Sequence, residues 1–228
     1  MSAILYGAGV GPGDPGLITL KATEVINQAD VIAIPEKKEK CRAYQIAVKA
    51  VPEAESKEII DLAFPMDHDE NARKAQHEKL FEMIRERIAD GKNVVFLTIG
   101  DPAIYSTFSY IADLAQQNGI KTRTISGVTS ASACASALGI DLCLKDEALH
   151  IFPGSENIEE ALKLPGTKVF MKAGSNLAKL KEILSKKGDS ISVYAVSRCG
   201  MEDERIFSSL DDIPNDAVYL TTVIVKEK

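Results

Sequence analysis

Residues 5–15 run Leu5, Tyr6, Gly7, Ala8, Gly9, Val10, Gly11, Pro12, Gly13, Asp14 and Pro15. A short apolar strand passes straight into a glycine-rich turn and from there into a helix. That order constrains the chain to an α/β architecture with a ligand at the carboxyl end of its first strand. The glycines come close to the dinucleotide fingerprint G-x-G-x-x-G and then fail it. Counted from Gly7, the last glycine falls on Pro12; counted from Gly9, it falls on Asp14. Proline offers no backbone N–H to a phosphate, and Asp14 puts negative charge where a pyrophosphate would sit. The P-loop spacing fails as well, because Gly16 is followed by Leu17 rather than lysine. The turn is built for a ligand other than a phosphate.

Helix and strand signals alternate along the rest of the chain, which predicts α/β with largely parallel sheets. Strand signals fall at Ile4–Tyr6, Val31–Ile34, Ile59–Phe64, Val94–Ile99 and Lys121–Ile125. Asp14 caps a first helix with Pro15 at its start, and Leu17, Leu20, Val25 and Ala29 mark an apolar face. Further helices are expected over Arg42–Val51, from an acidic turn at Asp67–Asn71 to Ala89, and over Ala103–Gln117. In the second half, strands are expected at Leu149–Phe152, Lys168–Met171, Ile191–Val196 and Ala217–Val225, with a short antiparallel strand within Met201–Phe207. Helices Thr129–Leu138, Ile158–Leu162 and Leu177–Lys187 alternate with them. The boundary is placed between Asn118 and Gly127, giving a largely parallel domain of residues 1–120 and a mixed-sheet domain of residues 121–228. No low-complexity linker separates the halves, so they are expected to pack closely around a cleft.

The chain has 228 residues and is 45% hydrophobic, enough for a sizeable core. Its net charge of −6 and its lack of tryptophan argue against nucleic acid as a partner. No apolar run approaches the ~20 residues that span a bilayer, and nothing resembles a signal peptide. Cys41, Cys134, Cys143 and Cys199 form no C-x-x-C pair and read as thiols of a reducing cytoplasm. His68, His77 and His150 cluster neither with them nor with each other, so no metal site is expected.

Two further strand-end turns follow the logic of the first. Gly100, Asp101, Pro102, Ala103, Ile104, Tyr105, Ser106 and Thr107 follow the Val94–Ile99 strand; as plain structure, Asp101 is a helix cap there. Ser126, Gly127, Val128, Thr129, Ser130, Ala131 and Ser132 end another strand and open a helix of small residues. Three such turns fit a ligand held mainly by backbone groups at the ends of parallel strands.

Taken in order, G-x-G-P-G-D-P with the following L-I-T-L-K-A, then A-D-V-I, G-D-P-x-x-Y-S-T and G-V-T-S resemble the tetrapyrrole methylase family across almost the whole chain. Gly11–Pro15, Tyr105–Phe108 and Ile151–Gly154 resemble its precorrin-2 C-20 methyltransferases. The resemblance implies two α/β domains with the active site in the cleft between them, usually in a homodimer. It implies S-adenosylmethionine as cofactor and precorrin-2 or cobalt-precorrin-2 as substrate, in cobalamin biosynthesis. Position by position, it implies cofactor contacts at Pro12, at Gly100, Asp101, Pro102 and Ile104, at Thr129 and Ser130, and at Met171 and Gly200. Tyr105 and Ser106 lie beside the cofactor turn, and Leu220–Thr222 lines the same cleft. Ser126 departs from the family, where most relatives carry proline. S-adenosylmethionine has an adenine, an amino-acid end and a sulfonium but no phosphate, which accounts for the failed fingerprints.

Methyl transfer needs mainly alignment of nucleophile, methyl and sulfur, which is worth effective molarities of about 10⁵–10⁸ M. A proton must leave C-20 afterwards, and His150, Glu147 and Tyr6 are candidate bases, with Asp101 a fourth. The substrate implied is a polycarboxylate, so this acidic chain needs a local basic patch; Lys21, Arg42, Lys145, Lys172 and Arg198 are candidates, with the Glu36–Lys40 loop at the rim. The same residues also fit methylation of another ring position, a diphthine synthase, a non-catalytic S-adenosylmethionine-binding module and, weakest, a nucleotide-dependent oxidoreductase.

Overall fold

The computed structural model describes residues 3–61, 70–154, 157–215 and 219–228, and the chain divides into two compact units, Met1–Val128 and Thr129–Lys228. The first unit holds strands β1 (Leu5–Gly9), β2 (Val31–Ile34), β3 (Glu58–Asp61), β4 (Val94–Thr98) and β5 (Thr122–Ile125). They form one parallel sheet in the order β3-β2-β4-β1-β5. Helices α1 (Leu20–Gln28), α2 (Arg42–Ala50), α3 (Glu70–Ala89) and α4 (Phe108–Gln117) connect them.

Both faces of this sheet are covered, which is why its strands read as continuous apolar runs rather than alternating ones. Val95, Leu97, Ile32 and Ile34 pack on one side with Val25 and Ile26 of α1 and Ile46 and Ala47 of α2. Their neighbours Val94, Phe96, Val31 and Ala33 pack on the other side with Leu80, Phe81 and Ile84 of α3 and Phe108 and Ile111 of α4. Register pairs Leu5 with both Val94 and Thr122, so the carboxyl ends of β1, β4 and β5 finish level with one another.

Several expected boundaries move. Thr122–Ile125 pairs with β1, so the first unit runs through Val128 and the division expected after residue 120 shifts to Val128/Thr129. The helix expected from Asp14 is two pieces. The Asp14 carboxylate accepts the Gly16 N–H at 2.8 Å and caps only a single 3-10 turn, Pro15–Leu17. Thr19 then caps α1 by accepting the Ala22 N–H, and Leu20, expected on the apolar face, is 89% exposed. The helix expected from Ala103 begins at Phe108, because Tyr105 is left-handed at φ 47° and the Ser106 hydroxyl accepts the Phe108 N–H. The expected stretch from residue 62 to Phe64 and residues 67–69 of the acidic turn lie outside the described residues.

In the second unit, α5 (Ser130–Leu138), β6 (Leu149–Pro153), α6 (Ile158–Ala161), β7 (Thr167–Met171), α7 (Leu177–Ser185), β8 (Ile191–Ser197), β9 (Arg205–Phe207) and β10 (Thr221–Glu227) follow in order. Their sheet has the order β6-β7-β10-β8-β9 and mixed direction: β6 and β7 are parallel, while β10 runs antiparallel to both β7 and β8, and β9 to β8. Phe170, Val193, Ala195, Val223 and Val225 pack on Ile158 and Leu162 together with Leu177, Leu180 and Leu184 of α7. The expected strand from Ala217 is found at Thr221–Glu227, and residues 216–218 lie outside the described ones. Among the described residues no helix is long and apolar enough to cross a membrane.

Candidate active site

The carboxyl end of the first sheet brings three turns into backbone contact. Val10 donates to the Thr98 carbonyl at 3.0 Å, carrying the β1–β4 ladder one step past the strands, and Gly100 donates to the Gly11 carbonyl at 2.8 Å. The chain can close this tightly only without side chains. A Cβ on Gly9 would collide with the Gly100 carbonyl oxygen and stand 2.8 Å from the Gly127 Cα, and one on Gly127 would strike the same oxygen. Gly9, Gly100 and Gly127 therefore form a single backbone knot across β1, β4 and β5.

Asp101 ties the knot. Its Oδ2 accepts the Gly127 N–H at 3.0 Å and its Oδ1 accepts the Ala103 N–H at 2.7 Å. Both carboxylate oxygens are committed to backbone donors, so the side chain acts as a clamp between turns. Thr19 adds a second clamp by donating its hydroxyl to the Ser126 carbonyl at 3.2 Å. Ser106 donates to the Thr98 hydroxyl at 3.1 Å and fixes the start of α4 against the end of β4. Of the residues expected at this site, Pro12, Gly100 and Pro102 are buried, Asp101, Ile104 and Ser106 are half-buried, and Tyr105 is exposed.

In the second unit, Thr129 caps α5 by accepting the Ser132 N–H, and the Thr222 hydroxyl donates to that of Ser130 at 3.3 Å. Met171 ends β7, and Gly200 lies three residues past the end of β8, its N–H donated to Glu204 at 2.6 Å. The Arg198 N–H meets the Leu220 carbonyl at 2.8 Å, so the exits of β7 and β8 and the entrance of β10 share one end of the sheet. Lys172 and Arg198 follow the exiting strands in left-handed backbone, at φ 55° and 52°. Burial pushes the Lys172 ammonium below the usual lysine range, and Arg198 pairs with Asp203. Cys134 of α5 meets Cys199 here; that neighbour first, and burial second, pushes the Cys134 thiol far above the usual thiol range. Sequence spacing gave no sign of this thiol pair, because the two residues are 65 positions apart on separate elements.

The profile of the Tetrapyrrole (Corrin/Porphyrin) Methylases matches residues 4–214, nearly the whole chain. The chain belongs to this family.

Among curated methylases, the chain is 37% identical to a probable cobalt-precorrin-2 C(20)-methyltransferase of Methanocaldococcus jannaschii, across 97% of this chain and 95% of that protein. It is 29% identical to a precorrin-2 C(20)-methyltransferase of a Sinorhizobium species, across 97% and 94%. Solved methylases share the fold. A cobalt precorrin-4 methyltransferase superposes with a TM-score of 0.78 at 23% identity, covering 98% of this chain and 94% of that one. A uroporphyrin-III C-methyltransferase of Thermus thermophilus, complexed with S-adenosylhomocysteine, gives 0.72 at 18% identity, covering 98% and 97%.

Two of the candidate bases stand at the wrong end of this methylase's second sheet. Glu147 precedes β6, where it accepts from the Leu144 N–H and the Thr167 hydroxyl, and these two bonds in that order lower its pKa. His150 faces the Pro165 carbonyl at 3.0 Å. In register, His150 pairs with Lys168 and Pro153 with Met171, so both candidates lie toward the strand entrances while Met171 lies at the exit. Tyr6 is half-buried against the first unit's core. Sequence alone identified these polar residues but not the end of the strand that each occupies.

Proposed function

We propose that this methylase transfers a methyl group from S-adenosylmethionine to C-20 of precorrin-2 or cobalt-precorrin-2, as a cytoplasmic homodimer in cobalamin biosynthesis. The observation that carries the reading is the 37% identity sustained over 97% of the chain with a relative named for that reaction. The Gly9–Gly100–Gly127 knot supports the choice of cofactor. Its polar groups are backbone amides and carbonyls, and its one carboxylate, Asp101, is already engaged. Backbone groups beside a hydrogen-bonded carboxylate suit an adenosine and a zwitterionic amino acid rather than a phosphate chain.

When bound, the cofactor supplies an activated methyl on a sulfonium. The residues of the chain hold and orient. In this reading Pro12, Gly100, Asp101, Pro102 and Ile104 present the first unit's turns, with Tyr105 and Ser106 beside them. Thr129 and Ser130 present the start of α5, and Met171 and Gly200 the second unit's strand ends. Alignment carries the rate. With Asp101 clamped and Glu147 and His150 at the strand entrances, the reading assigns the proton leaving C-20 to water.

The test is an anaerobic incubation with methyl-¹³C-labelled S-adenosylmethionine and each tetrapyrrole in turn, with the product read by NMR. Label at C-20 is expected. Label at another ring carbon removes the C-20 assignment and leaves family membership standing. Sedimentation at twice the chain mass checks the dimer.

A further inference from the structure

Among the described residues, the Tyr44 hydroxyl is the one buried side-chain oxygen that meets no hydrogen-bond partner, on a residue only 6% exposed. A buried hydroxyl without a partner costs free energy that phenylalanine in the same place would not. Tyr44 sits in the first turn of α2, which the Glu36–Lys40 loop connects to the carboxyl end of β2, the neighbour of β4 in the sheet. Side chains in a helix lean toward its N-terminus, so the ring reaches back under the Glu36–Lys40 loop. Lys38 confirms this, its ammonium lying over the ring at 5.2 Å from the centroid.

The surroundings select the charge of a ligand. Lys37, Lys38, Lys40 and Arg42 fall within six residues of sequence. The first turn of the nine-residue α2 adds its N-terminal partial positive charge. Against them stand Glu36, Glu39 and Asp61, and Asp61 accepts the Lys38 backbone N–H at 3.5 Å. Cys41 adds no anion, since burial above all pushes its thiol up to about 11.

We propose that Tyr44 and Lys38 form a carboxylate-recognition position that reads one acid side chain of the tetrapyrrole, a role that rests on the function proposed above. The Tyr44 hydroxyl donates to the incoming carboxylate. The Lys38 side chain, a flexible stem over the ring, turns with its charge toward the same anion and opens the way to the hydroxyl. The position follows the carboxyl end of β2, at the same end of the parallel sheet as the glycine knot.

The experiment compares wild type with Tyr44→Phe and Lys38→Gln. It measures KM and kcat with precorrin-2 and cobalt-precorrin-2, the Kd for S-adenosylmethionine, and Tm. Phenylalanine keeps the ring and removes an oxygen that has no partner, so Tm is expected to hold or rise. KM for the tetrapyrrole is expected to rise about tenfold with cofactor Kd unchanged. Lys38→Gln is expected to raise KM and flatten its dependence on salt. An unchanged KM in Tyr44→Phe beside an active wild type overturns this inference and spares the proposed function. A wild type inactive on both tetrapyrroles overturns the proposed function and this inference with it.

Discussion

The strand ends of the two units solve the same geometric problem with opposite materials. In the first unit, the left-handed positions that close the knot are glycines, Gly11 at φ 79° and Gly100 at φ 75°, and backbone touches backbone, with Tyr105 at φ 47° following them. In the second unit, two corresponding positions carry Lys172 and Arg198, side chains that a left-handed backbone disfavours by roughly 1–2 kcal/mol each. Where the knot of the first unit excludes side chains, the second unit keeps long cationic ones after its strands at a conformational cost. The difference teaches where the chain closes backbone on backbone and where it spends conformational energy to keep a side chain. A knot of glycines admits only backbone at that point, whereas Lys172 beside Met171 brings a half-buried charge to the strand end.

The contrast breaks most sharply at Gly9. Gly9→Ala inserts a methyl against the Gly100 carbonyl and the Gly127 Cα, neither of which is a flexible side chain that can swing aside. Loss of about 3 kcal/mol or more is expected, together with loss of S-adenosylmethionine binding. Thermal unfolding and calorimetric titration measure the two, and a variant that matches wild type in both would show that the knot is not tight. Next comes Asp101→Asn. The amide keeps one acceptor but turns an NH₂ toward the other backbone donor, so a cost of about 1–2 kcal/mol and roughly tenfold weaker cofactor binding are expected. Asp101→Ala should be worse than Asn; equal effects would argue that the clamp contributes little.

The smallest effect concerns the other side of the comparison. Burial lowers the Lys172 pKa below that of the unfolded chain, so between the two values the unfolded state binds more protons. Stability from this residue therefore rises with pH as the lysine's usual value of 10.5 is approached, and the full penalty is present below the folded value. Lys172→Met is expected to be more stable than wild type near neutrality, with the gain shrinking as pH climbs toward that range. Denaturant melts across the alkaline series read the difference, and a gain independent of pH would mean that charge burial is not its source.

Much of this was legible in the sequence because it rests on local rules. Pro12 and Asp14 exclude a phosphate loop from their chemistry alone, and the apolar runs Val31–Ile34 and Val94–Thr98 declare strands buried on both faces. What escaped depends on partners distant in sequence. Thr122–Ile125 is legible as the strand that closes the first half, but with two exposed residues its pairing with β1 is visible only in the structure. Leu20 continues a helical pattern yet faces outward, because the helix begins at Thr19 rather than Asp14. His150 and Glu147 have the right chemistry for a base, but register along β6 and β7 puts them at the strand entrances. The Tyr44 hydroxyl carries no sequence signal at all, since a missing partner is a property of the packed interior.

The second sheet has one more consequence, which concerns how the chain is made. Its central strand, between β7 and β8, is β10, the one latest in sequence. On the ribosome the first unit has every strand it needs once Val128 has emerged, and at about 5–20 residues per second it has seconds in which to close. The second sheet waits. Until Thr221–Glu227 arrives, β6 and β7 on one side and β8 and β9 on the other are two ribbons with open inner edges, exposed to pairing with other chains. The final seven-residue strand converts them into one sheet in a single step, so nascent chains stalled short of it should be clients for whatever protects unpaired strand edges.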